Sequence, residues 1–359
     1  MRNQTIDAWK GLLILLVVVG HVVGGGCHLA TGTSYAALRM TYLIIYSFHM
    51  SAFFFIAGIM WREKEFGEFI LGRARRLLIP YVCVGLVSIC LHQLFGDGTR
   101  AFAESGSYYQ TWAAHKGGIS ENLISLVHAG GWPNGQGFRC NSVLWFLPCM
   151  FVVQICFWPI RHFLTKTWSL IVLLVILLAL DCVFDVLGFA YWPWGANKIP
   201  RYLMYMIIGN RVKDVFLAQQ FKIGKIVGAM GVSCMFGSVY ICWMERLVAG
   251  PIVICLMPVM ALLGIVLSRW IIDCSGEFAR HIFATLGFAS MGIMLWHKFF
   301  VVTVQLKLPF VRALYASGLI GSILASAGII LLSTICSIWL CGIWNYVVCH
   351  VSLKLFAKP

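Results

Sequence analysis

The chain has 359 residues, of which 60% are hydrophobic and only 11% charged. That leaves too little polar surface to coat a soluble globule, so a soluble fold is excluded and lipid must be the solvent. The formal charge of +14 does not point to nucleic acid, because Lys and Arg cluster in short connectors between apolar stretches instead of forming a basic face with interleaved aromatics.

A bilayer span takes about 20 mainly apolar residues, and such stretches recur along the whole chain. The first, Ala8–Gly26, lies in a segment, Met1–Cys27, with a basic start, but Asp7 sits within that segment, no small-residue cleavage site follows and further spans succeed it, so it reads as a retained helix. Leu38–Trp61, Leu77–Phe95, Ser142–Ile160 and Ser169–Gly188 come next. Then follow the short Ile199–Val212, Ile223–Met244, Val248–Ser268, Ile282–Val304 and a last span inside Ala313–Val348 with an interfacial lead-in. The expected fold is all-α: one membrane domain over residues 1–359, a polytopic bundle of about ten transmembrane helices.

Charge bias orients this drawing, since cytoplasmic connectors hold the excess of Lys and Arg. With the N-terminus inside, Arg62, Lys64, Arg73, Arg75, Arg76, Arg161, Lys213, Lys222 and Lys225 fall on the cytoplasmic side, and both termini are cytoplasmic. The one long connector, residues 96–141, is then exported; its Gly, Ser, Trp, Tyr and His content suits either a carbohydrate or the membrane interface. The 14 cysteines form no CxxC pair, so no metal site is expected. Cys27 and Cys140 share the exported edge, where an oxidising compartment would permit a disulfide that the sequence leaves open.

Ionisable residues within spans mark sites, because they are expensive in lipid and face a bundle interior or a watery cavity. Asp7, Lys10, His21 and His28 share one stripe at helical spacing, with Lys10 and His21 about 16 Å apart along the axis. The second span holds Phe48-His49-Met50 and a Phe-rich run to Gly58, and the connector after it ends in the basic run Arg73-Ala74-Arg75-Arg76. Each piece also has a plain reading, as a packed histidine or as positive-inside anchoring.

Taken in order, these pieces resemble the acyltransferase 3 family. Ile6-Asp7, Lys10-Gly11 and His21 match its opening pattern of a basic residue, ten residues and a His. Phe48-His49-Met50 with Gly58 resembles its second-helix motif, and Arg73 with Arg76 its RxxR motif. Leu144-Trp145-Phe146-Leu147 resembles the fourth-helix signature, and Leu295-Trp296-His297 the late helix ending in His. Ala57 departs from the Ser common before that glycine, and no SGNH esterase-like domain is expected.

The resemblance implies a multi-pass O-acyltransferase of the plasma (inner) membrane. It would move an acyl group, acetyl first among them, from cytoplasmic acyl-CoA to a hydroxyl of a surface glycan or lipid-linked saccharide. His21 would be the general base, with a neutral imidazole suited to pH 7. Lys10, Arg73 and Arg76 would bind the donor, and Asp7, His49, Trp145 and His297 would support the site. Two rivals stand beside this reading. A transporter or flippase also places charged residues in membranes, although no internal repeat is visible. A non-catalytic sensor would not need the full set of motif residues.

Overall fold

The computed structural model describes residues 3–95, 118–129, 138–163, 166–186, 192–217, 231 and 250–356. Among the described residues the chain is helical, with no strand. In chain order the helices are α1 (Gln4–Gly26), α2 (Gly32–Ile59), α3 (Phe66–Arg73), α4 (Ile79–Phe95), α5 (Ile119–His128), α6 (Phe146–Ile160) and α7 (Thr167–Val186). They continue as α8 (Ile199–Arg211), α9 (Lys213–Leu217), α10 (Gly250–Cys274), α11 (Glu277–Phe288), α12 (Ser290–Lys307), α13 (Pro309–Ala316) and α14 (Leu319–Phe356). Among these residues 7 helices are long and apolar enough to cross a membrane, or 8 if the bent pair α11–α12 is one span. The expected span Ile223–Met244 lies outside the described residues.

The helices group into two compact units, one made of Met1–Ile45 and Cys274–Pro359, the other of Tyr46–Asp273. In the first unit, Asn3 caps α1 by accepting from the backbone N–H groups of Thr5 and Ile6 at 3.1 and 3.2 Å. α1 then packs on α11 at backbone distance. A Cβ placed on Gly11 would lie 1.7 Å from the Phe283 carbonyl oxygen, and one on Gly287 would lie 1.8 Å from that of Asp7. Only glycine permits this crossing, the small-residue contact that drives helix association in lipid.

The expected span Ile282–Val304 is not one helix: α11 and α12 meet at Ala289 with a bend of 79°. Both arms pack on α1, α11 more extensively, at the Gly287 crossing. The last tract also divides. Pro309 opens α13, and Gly318, at φ +109, turns the chain into α14, so the interfacial lead-in is a short separate helix.

In the second unit the short sixth stretch is α8, whose 13 residues bury Tyr202, Leu203, Met204, Tyr205, Met206 and Ile207 in succession. Gly58 of α2 and Gly209 of α8 face each other: a Cβ on either would fall 2.0 or 2.1 Å from the partner backbone. Asn210 adds a hydrogen bond from Nδ2 to the Gly58 carbonyl at 3.2 Å. The Phe-rich run before Gly58 joins in, with Phe54 stacked on Tyr202 at 4.2 Å. α7 is the opposite case, with Val172, Val175, Ile176 and Val183 exposed toward lipid. Leu177 and Asp181 are buried, and Asp181 pairs with Arg201 of α8 at 2.8 Å.

The long connector also contains structure, for α5 lies within it. Leu126 of α5 fills the space beside Gly85 of α4, and the Tyr81 hydroxyl donates to the Leu126 carbonyl.

Candidate functional site

Within the first unit, α1 and α12 bring together two of the residues singled out above. The rings of His21 and His297 lie 5.2 Å apart between centroids, tilted by 40°. His297 is fully buried and its Nδ1 lies 2.7 Å from the Ile293 carbonyl one turn earlier. A carbonyl only accepts, so Nδ1 carries the proton and the neutral ring keeps its lone pair on Nε2. His21 is partly exposed.

Nearer the start of α1, Lys10 sits 3.8 Å from Asp7, an i, i+3 pair in which Asp7 is buried. The stripe does not extend to His28, because α1 ends at Gly26 and His28 lies in the turn beyond it. Partial burial, followed by the charges of Arg39 and Lys298, holds the His28 pKa below its ordinary value.

The C-terminal end of α1 in this unit meets a polar network that the sequence reading did not single out. Gln305 of α12 is buried and donates from Nε2 to the Val22 carbonyl at 2.8 Å. It also lies 3.5 Å from the Tyr315 hydroxyl, which in turn contacts Ser326 Oγ at 3.0 Å. The legible signal was a glutamine inside an otherwise apolar stretch.

The second unit holds the remaining candidates. His49 is buried with its ring edge-on to Tyr46 at 4.7 Å. The basic run is helix and not connector: Arg73 ends α3, and Arg75 and Arg76 lie on a π-helical turn, Ala74–Leu78, closed by the Ile79 N–H on the Ala74 carbonyl. Such turns recur at functional positions. At one end of this rod the Phe66 ring meets Trp158 of α6 at 4.6 Å, and at the other Tyr81 meets α5. Arg73 is about 10 Å along the helix from either point. It stands over the Phe69 ring at 5.4 Å. Among the described residues no carboxylate pairs with Arg73, Arg75 or Arg76, which leaves three guanidinium groups for an external anion.

Trp145 closes a 3-10 turn just before α6. Its indole carries the Lys198 ammonium 4.1 Å above the ring, and Tyr202 lies alongside at 6.0 Å. The segment Pro193–Lys198 reaches this ring at Gly195, whose φ of +66 favours glycine and where an added Cβ would lie 3.2 Å from Cys149. The structure therefore joins His21 with His297 and Asp7 with Lys10 in one unit, and places His49, Arg73, Arg76 and Trp145 in the other.

A family described as an acyltransferase domain, acyltransferase 3, matches the chain over residues 3–342. No curated protein and no solved structure matches it.

Proposed function

Because the chain belongs to the acyltransferase 3 family and is thereby a membrane acyltransferase, we propose that it transfers an acetyl group from cytoplasmic acetyl-CoA to a hydroxyl of a surface glycan or lipid-linked saccharide. The plasma (inner) membrane with both termini cytoplasmic is the setting that the charge bias supports. The observation that carries this reading is the His21–His297 pair, since an acyl transfer to a hydroxyl needs a base that can take and return one proton near neutral pH.

His21, the partly exposed member, takes the hydroxyl proton as the oxygen bonds to the thioester carbonyl carbon. The C–S bond then breaks, and the CoA thiolate leaves with the proton returned by the imidazolium. His297 supports His21 from the buried side, its own tautomer held by Ile293. Arg73 and Arg76 grip the donor phosphates with planar, always-charged forks. Lys10, beside Asp7 at 3.8 Å, adds its positive charge to the grip on the donor. His49 and Trp145 shape the site, the aromatic ring offering a face to a sugar.

His21→Gln tests this directly, since it keeps a hydrogen-bonding side chain of similar size that cannot cycle a proton. With radiolabelled acetyl-CoA and membranes from expressing cells, label reaching the polysaccharide fraction should fall to less than about a tenth of wild type, in line with loss of a general base. Acetyl-CoA binding should persist. A variant that transfers faster than that would make His21 a structural residue.

A further inference from the structure

The helix turn that carries His21 is intrinsically weak. It runs into Gly24-Gly25-Gly26, and a glycine interior to a helix is less stable there than alanine because it loses more backbone freedom on folding. A frayed last turn would let the imidazole drift, and about 1 Å of misplacement can cost 10² in rate. Yet the glycines are required where they are. A Cβ on Gly25 would lie 2.2 Å from Gln305 Oε1, and one on Gly26 would lie 2.6 Å from the Tyr315 ring. What they admit is the side chain of Gln305, whose amide donates to the carbonyl of Val22, the residue next to His21.

From this juxtaposition we infer that Gln305 is a positioning residue for His21. The amide replaces, from outside the helix, the rigidity that the glycines remove. Tyr315 and Ser326 act behind it, the hydroxyl of Tyr315 bridging Gln305 and Ser326, so that α13 and α14 brace the same turn. All four groups, including the Val22 carbonyl, are buried, where a hydrogen bond is difficult for water to replace. The effect of the network is on turnover, through the imidazole, and the inference rests on the acyl-transfer role of His21 proposed above.

Two variants separate positioning from packing. Gln305→Met keeps the length and removes the donor. Gln305→Glu keeps the shape but, when ionised, sets an acceptor against the Val22 carbonyl; protonated, it regains the donor. With radiolabelled acetyl-CoA and the same membranes, Gln305→Met should lower kcat by about 10- to 100-fold with the KM for acetyl-CoA unchanged. The activity of Gln305→Glu relative to wild type should climb as pH falls, whereas the relative activity of Gln305→Met stays level. Tyr315→Phe, which leaves the Val22 bond in place, should show a smaller loss of the same kind and guards against a misfolded Gln305 variant. Turnover of correctly inserted Gln305→Met near the wild-type value, or Gln305→Glu activity that does not recover in acid, overturns the inference. Absence of any acetyl transfer by the wild-type protein would instead overturn the acyl-transfer reading itself.

Discussion

Replacing Gly11 with alanine tests the contact on which the first unit is built. The added Cβ would lie 1.7 Å from the Phe283 carbonyl oxygen, whereas a carbon and a carbonyl oxygen rest at about 3.3 Å. The two helix backbones must therefore part by about 1.6 Å, the difference between that 3.3 Å contact and the clash. Neither side can absorb this by a rotamer change, because the obstructing atoms are backbone. Overpacking of this kind costs about 1–3 kcal/mol, and α1 carries the shift toward His21, about 15 Å further along the axis. Turnover should consequently fall about 100-fold, the penalty of an ångström-scale misplacement. The assay is thermal unfolding of purified protein in detergent together with acetyl transfer from radiolabelled acetyl-CoA. Gly72→Ala is the control, since nothing lies within 4 Å of its Cβ and alanine is the better helix former. If Gly11→Ala melts like wild type and keeps its turnover, the backbone crossing of α1 and α11 is not what organises this unit.

Replacing both Arg73 and Arg76 with alanine should weaken acetyl-CoA binding at least about tenfold by calorimetry, because charged hydrogen bonds contribute about 1.5–3 kcal/mol each, while insertion is preserved. Unchanged affinity would leave these residues as lipid anchors. Asp181→Ala should destabilise the protein by about 3–5 kcal/mol in thermal unfolding, by stranding the Arg201 charge, and Asp181→Leu with Arg201→Met should recover most of the loss. His28 is held below its ordinary pKa by partial burial and by Arg39 and Lys298, so the unfolded chain binds that proton at a higher pH than the folded one. Its stabilisation is complete above the unfolded pKa of about 6.5 and is lost as pH falls toward the folded value; His28→Gln should therefore flatten the acid limb of a melting-temperature curve.

Long apolar runs made α1, α2, α6, α7 and α10 legible in the sequence, because length and hydropathy alone decide what lipid will accept. α8 is the least legible: a run of 13 residues fits a short span or a core helix equally by length and hydropathy, and its packing on Gly58 and Phe54 is written only in the fold. The basic run at Arg73 reads as a connector because positive charge is the signal of topology; nothing local announces that the helix has already begun at Phe66 or that it opens into a π turn. The bend at Ala289 is equally silent, since no proline or charged break marks it in the sequence. At the site, the motif order named His21 and His297 but not their approach. Asp181 and Gln305 were visible as polar residues in apolar stretches, yet a partner for each could be assigned only once the helices were packed.

The first unit is assembled from the two ends of the chain, and this dictates an order of events during synthesis. Translation at 5–20 residues per second needs roughly 13–50 s to pass from the end of α1 to the start of α11. Throughout that interval α1 is in the bilayer without the helices that later cover its glycines. The second unit, a contiguous stretch, meets all its own partners sooner. Asp7 and Lys10 have each other from the outset, one turn apart on the same helix, so the nascent segment carries its charges as a neutral pair while it waits. The histidine pair, by contrast, is among the last contacts available, and a ribosome stalled before α12 would leave a chain that is inserted, largely folded and inert.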